Sequence, residues 1–381
     1  MALIPMKPVL DVAKANSIAF GAFNVNTPNQ AKAAIEIHEL FRTAAILQVI
    51  DFAHGFVGGR ADYLNATFEE KIKGAEIMAK KVREYAEEAS IPVVLHLDHG
   101  KDPEFVKACV DLGYTSVMID GSHLSFDENV ELTSEIVKYA HARGVTVEGE
   151  LGTLGGREDN VVAKGSIYTN PNKVCEFFKR TGVDCLAISY GTSHGPAKGQ
   201  NPCIRKEIAI ASYENMMHEN VDGVLVSHGS SSVPPYLIED INAYGGKLTN
   251  VNGIKIEQVK EVIPYGIGKV NIGTDLRIAI LRYIRAYFYK NPEKQSILEL
   301  KDVWETLKAK PEVIDCRAYL KSMQSSLISG IPANEIEAEI FREMEKGVKE
   351  IIGQFIVEFG QTGFADKVNP LTLDEMAKIY K

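Results

Sequence analysis

The hydrophobic pattern of the chain alternates between two periods. Short apolar, β-branched runs recur at "IAFGAFNVN" from Ile18, "AAILQVID" from Ala44, "IPVVLHLDHG" from Ile91, "SVMIDGS" from Ser116, "TVEGELG" from Thr146, "CLAISYG" from Cys185, "GVLVSHGSS" from Gly223 and "KVNIGTD" from Lys269. Runs this short, bounded by turn residues, predict strands buried on both faces. Between them the apolar residues take helical spacing, as in "EEKIKGAEIMAKKVREYAEEA" after Phe68 and "NVELTSEIVKYAHAR" after Glu128. Eight strand-helix units in succession predict an α/β fold, a parallel (β/α)8 TIM barrel, with a doubly wound open sheet as the alternative. From about Tyr287 to Lys381 the chain reads as charged and helical, for example "NEIEAEIFREMEKGVKEIIGQFIVEFG". We read residues 1–381 as a single domain, with the barrel over about 5–290 and additional C-terminal helices over about 291–381.

The polar residues favour the barrel. Nearly every apolar run ends in one: Asn24, Asp98 with His99, Asp120, Glu150, the "TSHG" after the sixth run, His228 and Asn271. In a (β/α)8 barrel all those ends meet at one mouth, so "HLDHG" delivers its charged groups to a shared site. His99, His194 and His228 each precede a glycine. Three imidazoles at one mouth have the type and number for a zinc site with an open position, and Glu150 and Asp120 are further oxygen ligands or orienting groups. His96 shares a strand face with Asp98 and is read as a hydrogen-bonding neighbour of the site. His38, His54, His123, His141 and His218 lie in helical or loop settings and are read as ordinary structural residues.

Two glycine-rich turns supply a second group. "SHGPAKGQ" offers Gly195, Lys198 and Gly199, and "SHGSSSVP" offers Gly229 and Ser231, which together combine backbone N–H groups with a cation and hydroxyls, as phosphate binding needs. "LGTLGGREDN" at residues 151–160 reads as a mobile loop able to carry Glu158 and Asp159 into a site as proton-transfer groups.

Composition narrows the partners. The chain has 381 residues, 45% of them hydrophobic, and a net charge of −9, which leaves no basic face for nucleic acid or an anionic membrane. Cys109, Cys175, Cys185, Cys203 and Cys316 are scattered and odd in number, so neither a disulfide framework nor a thiolate metal site is expected. The opening "MALIPMKPVLDVAKANSIAF" has neither a long apolar segment nor a cleavage signature. A reducing cytoplasm and a small-molecule partner are the expectation.

"LHLDHG", "EGELGTLGGREDN", "GTSHGPAKG", "LVSHGSSSVP" and "KVNIGTDLR", in this order, resemble the metal-dependent class II fructose-bisphosphate aldolases, and "GAFNVN" is similar to that family's first strand. The resemblance runs from about residue 5 to residue 290. It implies an aldehyde-lyase of glycolysis and gluconeogenesis. The enzyme would cleave fructose 1,6-bisphosphate to dihydroxyacetone phosphate and glyceraldehyde 3-phosphate through a zinc-stabilised enediolate. It implies zinc (Zn2+) on His99, His194 and His228, with Glu150 and Asp120 at a second, more buried metal position. Asp98 would handle the C4 hydroxyl proton and Glu158 the C3 proton. Phosphate would rest on Gly195, Lys198, Gly229, Ser231 and Thr274 beside a monovalent cation, Na+ or K+, while Asn24 and Asn271 contact the sugar. Arg277 would reach the distal phosphate of a neighbouring subunit in a homodimer or homotetramer.

Two residues depart from the family pattern. Ile50 in "LQVI" stands where a hydroxyl is usual, and Gly273 in "VNIGTD" stands where many fructose-bisphosphate enzymes carry an acid. They keep tagatose- or sedoheptulose-bisphosphate aldolase open as alternatives. A metal-dependent barrel hydrolase and a non-catalytic binding relative are the alternatives of other classes.

Overall fold

The computed structural model describes residues 3–158, 161–163, 167–196, 198, 202 and 204–381, with the backbone alone at 156–158 and 161–163. The expectations for Asp159, Gly199, Cys203 and the side chain of Glu158 lie outside the described residues. Eleven strands are described: β1 (Phe20–Asn24), β2 (Ala45–Ile50), β3 (Val93–Gly100), β4 (Ser116–Ile119), β5 (Thr146–Leu151), β6 (Gly155–Glu158), β7 (Val161–Ala163), β8 (Cys185–Ile188), β9 (Ser193–His194), β10 (Val224–Ser227) and β11 (Ile267–Ile272). Eight close a barrel in the order β1-β11-β10-β8-β5-β4-β3-β2, and every pairing within it is parallel.

The helices begin where the sequence supplies partners for their free N–H groups. Thr67 with Glu70, and Ser125 with Glu128, form capping boxes at the starts of helices Phe68–Glu88 and Phe126–His141. Both helices match the predicted spacing. The core has two layers because side chains alternate along each strand. Outward residues such as Leu47, Leu95, Val117 and Val147 join the helices in the larger apolar cluster. Inward residues Phe20, Ile46, Val94, Met118, Cys185, Val224 and Val226 meet Met6, Val9 and Leu10 of the N-terminal segment, which closes the bottom of the barrel.

Above that apolar floor the inward positions turn polar: Gln48, His96, Glu148 and Lys269, then Asn24, Asp98 and Asn271, all buried. The sequence after Lys290 is helical, as expected. Its longest helix, Glu335–Glu358, packs on helices Thr274–Lys290 and Pro28–Leu40 and so covers the barrel between its eighth and first units. No helix among the described residues is long and apolar enough to cross a membrane.

Part of the segment read as a mobile loop is regular. Gly155–Glu158 is a strand: β6 pairs antiparallel with β7 and parallel with β9, a small sheet beside the barrel mouth. Its glycines fit that role, since bare backbone can lie flat against β9.

Two core histidines couple the fold to pH. His38 Nδ1 bonds the Ala34 carbonyl at 2.6 Å, and His54 lies between the Asp51 carbonyl at 3.0 Å and the Tyr114 hydroxyl at 2.6 Å. Burial lowers their pKa values to about 4 and about 3. An unfolded histidine takes up its proton near pH 6.5, so the neutral folded forms contribute stability that is present above that pH and lost as pH falls toward the folded values. Each is expected to remove about 1.4 kcal/mol per pH unit at full effect between pH 6.5 and 5, above the range in which most carboxylates titrate. Thermal melts across that window should show a shallower slope in His38→Gln; an unchanged slope would refute the assignment.

Candidate active site

The site is assembled from strand ends. β3 finishes on Asp98 and His99, and its register with β4 breaks between Leu97 and Gly100. His99 takes φ 51°, a left-handed conformation that is uncommon for a residue with a side chain and is typical of functional positions. His228 follows β10, and His194 lies in β9, in the small sheet beyond the sixth barrel strand. The structure brings all three together: a nitrogen from each of His99, His194 and His228 lies within 4.8 Å of the others, and all three rings are buried. His99, Asp120 and Glu150 form a second such group, sharing His99.

The hydrogen bonds decide which nitrogens are available. His99 Nδ1 is 3.4 Å from Asp120 Oδ2, and His228 Nε2 is 2.6 Å from Glu148 Oε1. A carboxylate only accepts, so each of those ring nitrogens carries the hydrogen. That leaves His99 Nε2 and His228 Nδ1 with lone pairs, and these two atoms face each other 3.0 Å apart. Two lone pairs at this distance need a positive bridge, a proton on His99 or a metal ion in its place. A tetrahedral ion with bonds of ~2.0–2.1 Å would hold two nitrogens roughly 3.3 Å apart, so the spacing suits a metal. Glu150 Oε2, buried without a hydrogen-bond partner and 3.8 Å from His99 Nδ1, is a further unused donor atom. The residues present fit a metal ion.

The electrostatics of the metal-free site put a proton on His99 where the ion would stand. Burial alone would lower the pKa of His99, but Asp98, Asp120 and Glu150 around it prevail and hold it up at about 10. Burial opposes ionisation of Asp120, and its bonds with His99 and Ser122 outweigh that and keep it well below the carboxylate range. Glu150 has no such donors; burial, then the Asp120 charge, push it well up. Burial would likewise raise Glu148, yet Lys269 and His228 hold it low.

Asp98 stands beside the histidines with both oxygens engaged. Asn24 Nδ2 donates to Oδ2 at 2.8 Å and Asn271 Nδ2 to Oδ1 at 3.2 Å, with Gln48 Nε2 also 3.3 Å from Oδ2. Asn24, Gly195, Lys198, Gly229, Ser231, Asn271 and Thr274 line one narrow cleft together with Asp98, His194, His228 and Gly273. The Lys198 ammonium bonds the carbonyls of Ser193 and Gly229. Gly229 takes φ 61°, and a Cβ there would meet the Ser193 backbone at 2.6 Å, so only glycine allows this approach of the two turns. Ser231 Oγ accepts from the N–H groups of Gly273 and Thr274 at 3.4 and 3.2 Å, where helix Thr274–Lys290 points its N-terminus at the cleft.

Some residues fall elsewhere. Arg277 does not line the cleft; its Nη1 is 3.9 Å from Asp315 Oδ2, which also accepts from Arg317 Nη2 at 2.6 Å. Glu158 ends β6, and no statement is made of its side chain. His96 bonds Ser116 Oγ at 2.8 Å and sits below the site. His123 and His218 are exposed, and His141 stacks on Tyr380 at 3.6 Å while bonding Asp184. Sequence reasoning missed Glu148, Lys269, Asp315 and Arg317. The first two had a signal: Glu148 is two residues before Glu150 and Lys269 two before Asn271, so each shares the inward face of its strand.

A closed parallel barrel whose C-terminal mouth gathers histidines, carboxylates and a glycine-lined cleft defines an enzyme of the (β/α)8 class. The family model described as class II fructose-bisphosphate aldolase matches residues 4–363. The fructose-bisphosphate aldolase of Giardia intestinalis is 38% identical over 295 residues, covering 77% of this chain and 85% of that protein. The one from Pseudomonas aeruginosa is 37% identical over 399 residues, covering 100% and 97%. Among solved structures, the YdjI aldolase of Escherichia coli K12 superposes with a TM-score of 0.64 at 25% identity, over 95% of this chain and 99% of that one. The fructose-bisphosphate aldolase of Campylobacter jejuni gives 0.69 at 22% identity, over 95% and 96%, a likeness of fold. The chain belongs to the class II fructose-bisphosphate aldolase family, which makes it a lyase and sets the barrel hydrolase aside.

Removing one of the facing nitrogens tests the ligand set. His228→Ala is expected to lose a divalent ion that the parental protein retains through dialysis, measured as metal content per chain. Equal metal content in the two proteins would exclude His228 as a ligand.

Proposed function

We propose that the protein cleaves and forms fructose 1,6-bisphosphate, with dihydroxyacetone phosphate and glyceraldehyde 3-phosphate on the other side of the reaction. The observation that carries this reading is the pair of ring nitrogens of His99 and His228 facing each other 3.0 Å apart beside the Asp98 carboxylate, which is held by amides of Asn24 and Asn271. His99, His194 and His228 would hold zinc, and Glu150 with Asp120 would offer a second, more buried position. Zinc, when bound, supplies a Lewis acid for the ketone oxygen of an open-chain sugar.

The chain's own residues supply binding and proton transfer. Asp98 takes the C4 hydroxyl proton as the C3–C4 bond breaks, its lone pairs aimed by the amides of Asn24 and Asn271. Those amides then contact the sugar chain. Glu158, at the end of β6, returns a proton to C3 of the three-carbon fragment. Phosphate lies among Gly195, Lys198, Gly229, Ser231 and Thr274, where N–H groups and the helix N-terminus meet its charge. The Lys198 ammonium, or Na+ or K+ on the Ser193 and Gly229 carbonyls, balances it. Arg277 serves the distal phosphate of a second subunit in a homodimer or homotetramer.

Gly273 favours a second reading of specificity. It lines the cleft without a side chain, so no acid accepts a hydrogen bond from a chain hydroxyl there. Ile50, buried and paired in register with Asp98, likewise offers no hydroxyl. A site that lacks such a bond discriminates less between epimers, so tagatose bisphosphate is an additional substrate, with the longer sedoheptulose bisphosphate a third.

Asp98→Asn should keep its metal and lose roughly two or more decades of cleavage rate, as removal of a general base does. A coupled assay of fructose bisphosphate cleavage, with metal content measured alongside, decides; near-normal turnover would make Asp98 structural. Gly273→Asp should raise the ratio of kcat/KM for fructose over tagatose bisphosphate. An unchanged ratio would place discrimination elsewhere in the mouth.

A further inference from the structure

Directly beneath the site lies a pair of charges that the reaction above does not use. Glu148 on β5 and Lys269 on β11 are fully buried, with Lys269 Nζ 2.9 Å from Glu148 Oε2. Each also makes one contact upward. Glu148 Oε1 is 2.6 Å from His228 Nε2, and Lys269 Nζ donates to Asn271 Oδ1 at 2.7 Å. Asn271 Nδ2 then donates to Asp98 Oδ1 at 3.2 Å.

Donor and acceptor chemistry fixes what these contacts enforce. An ammonium only donates, so the Asn271 atom beside Lys269 is its oxygen, and the amide NH2 is turned toward Asp98. A carboxylate only accepts, so the hydrogen of His228 lies on Nε2. That nitrogen is also 3.1 Å from Asn271 Nδ2, but an amide NH2 cannot accept, so the hydrogen points to the charged oxygen of Glu148. His228 Nδ1 is therefore bare on the side facing His99. With Glu148 absent, either tautomer would serve, and one of them turns an N–H toward the ligand position.

We propose that the Glu148–Lys269 pair is the positioning element of the site, setting the tautomer of His228 and the direction of the Asn271 amide with a single buried contact. The proposal rests on the functional reading above. It also accounts for a charged pair where apolar residues would fold as well: exchange of a buried ion pair for apolar groups of similar volume is often neutral or stabilising, so stability alone does not require it. Partners behind metal-facing histidines are typically worth 10–100-fold in metal affinity.

Two variants test it, read by zinc affinity in chelator competition and by the visible spectrum of the cobalt(II)-loaded protein. Glu148→Asp keeps the charge beside Lys269 but is one methylene too short to hold His228 as well. The double variant Glu148→Leu with Lys269→Met removes both charges together and leaves none unpaired. Both are expected to fold, as judged by circular dichroism, to bind zinc about 10–100-fold more weakly, and to show a shifted cobalt spectrum. A folded variant with parental affinity and spectrum would overturn the positioning role while leaving the functional reading intact. A parental protein that binds neither metal would overturn both. Failure of both variants to fold would count against the proposal, because the pair would then hold the barrel and not the site.

Discussion

Charge balance inside the barrel is the constraint on which the rest depends. Asp98, Asp120, Glu148 and Glu150 are buried on three neighbouring strands or their ends, and beside Glu148 stands a fully buried ammonium, Lys269. An uncompensated ion in such a place costs several kcal/mol, so this lining persists only if hydrogen bonds and cations neutralise it. Glu148 is matched by Lys269 and by the His228 N–H; Asp98 by three amides; Asp120 by His99 and Ser122. Glu150 and the two facing nitrogens are what remains, on opposite edges of the His99 ring. At the rim the sign reverses, with N–H groups and Lys198 presented to the cleft. Acid below and donors above give a phosphorylated sugar one favourable orientation.

Much of this arrangement was legible in the sequence, for a physical reason. The apolar runs give way to polar residues toward their C-terminal ends, so Asn24, Asp98, Glu150 and Asn271 mark those ends in the sequence. Convergence at one mouth then follows from barrel closure. The family motifs placed the histidines and the glycine turns, and the structure assembles His99, His194 and His228 into one group.

What remained hidden depends on contacts between distant strands. Glu148 and Lys269 are 121 residues apart, taken as 269 − 148, and only the closed barrel turns two unremarkable charges into a pair. Arg277 and Arg317 meet at Asp315, a contact that depends on how the segment after Lys290 folds back. The strand β6 was hidden as well, because its pairing with β9 is backbone chemistry and leaves no pattern in side chains.

The N-terminal segment that packs Met6, Val9 and Leu10 beneath Phe20, Ile46 and Val94 makes the barrel a cup with a single rim. Nothing can pass through such a vessel. Whatever enters by the mouth must leave by it, so substrate and products share one doorway.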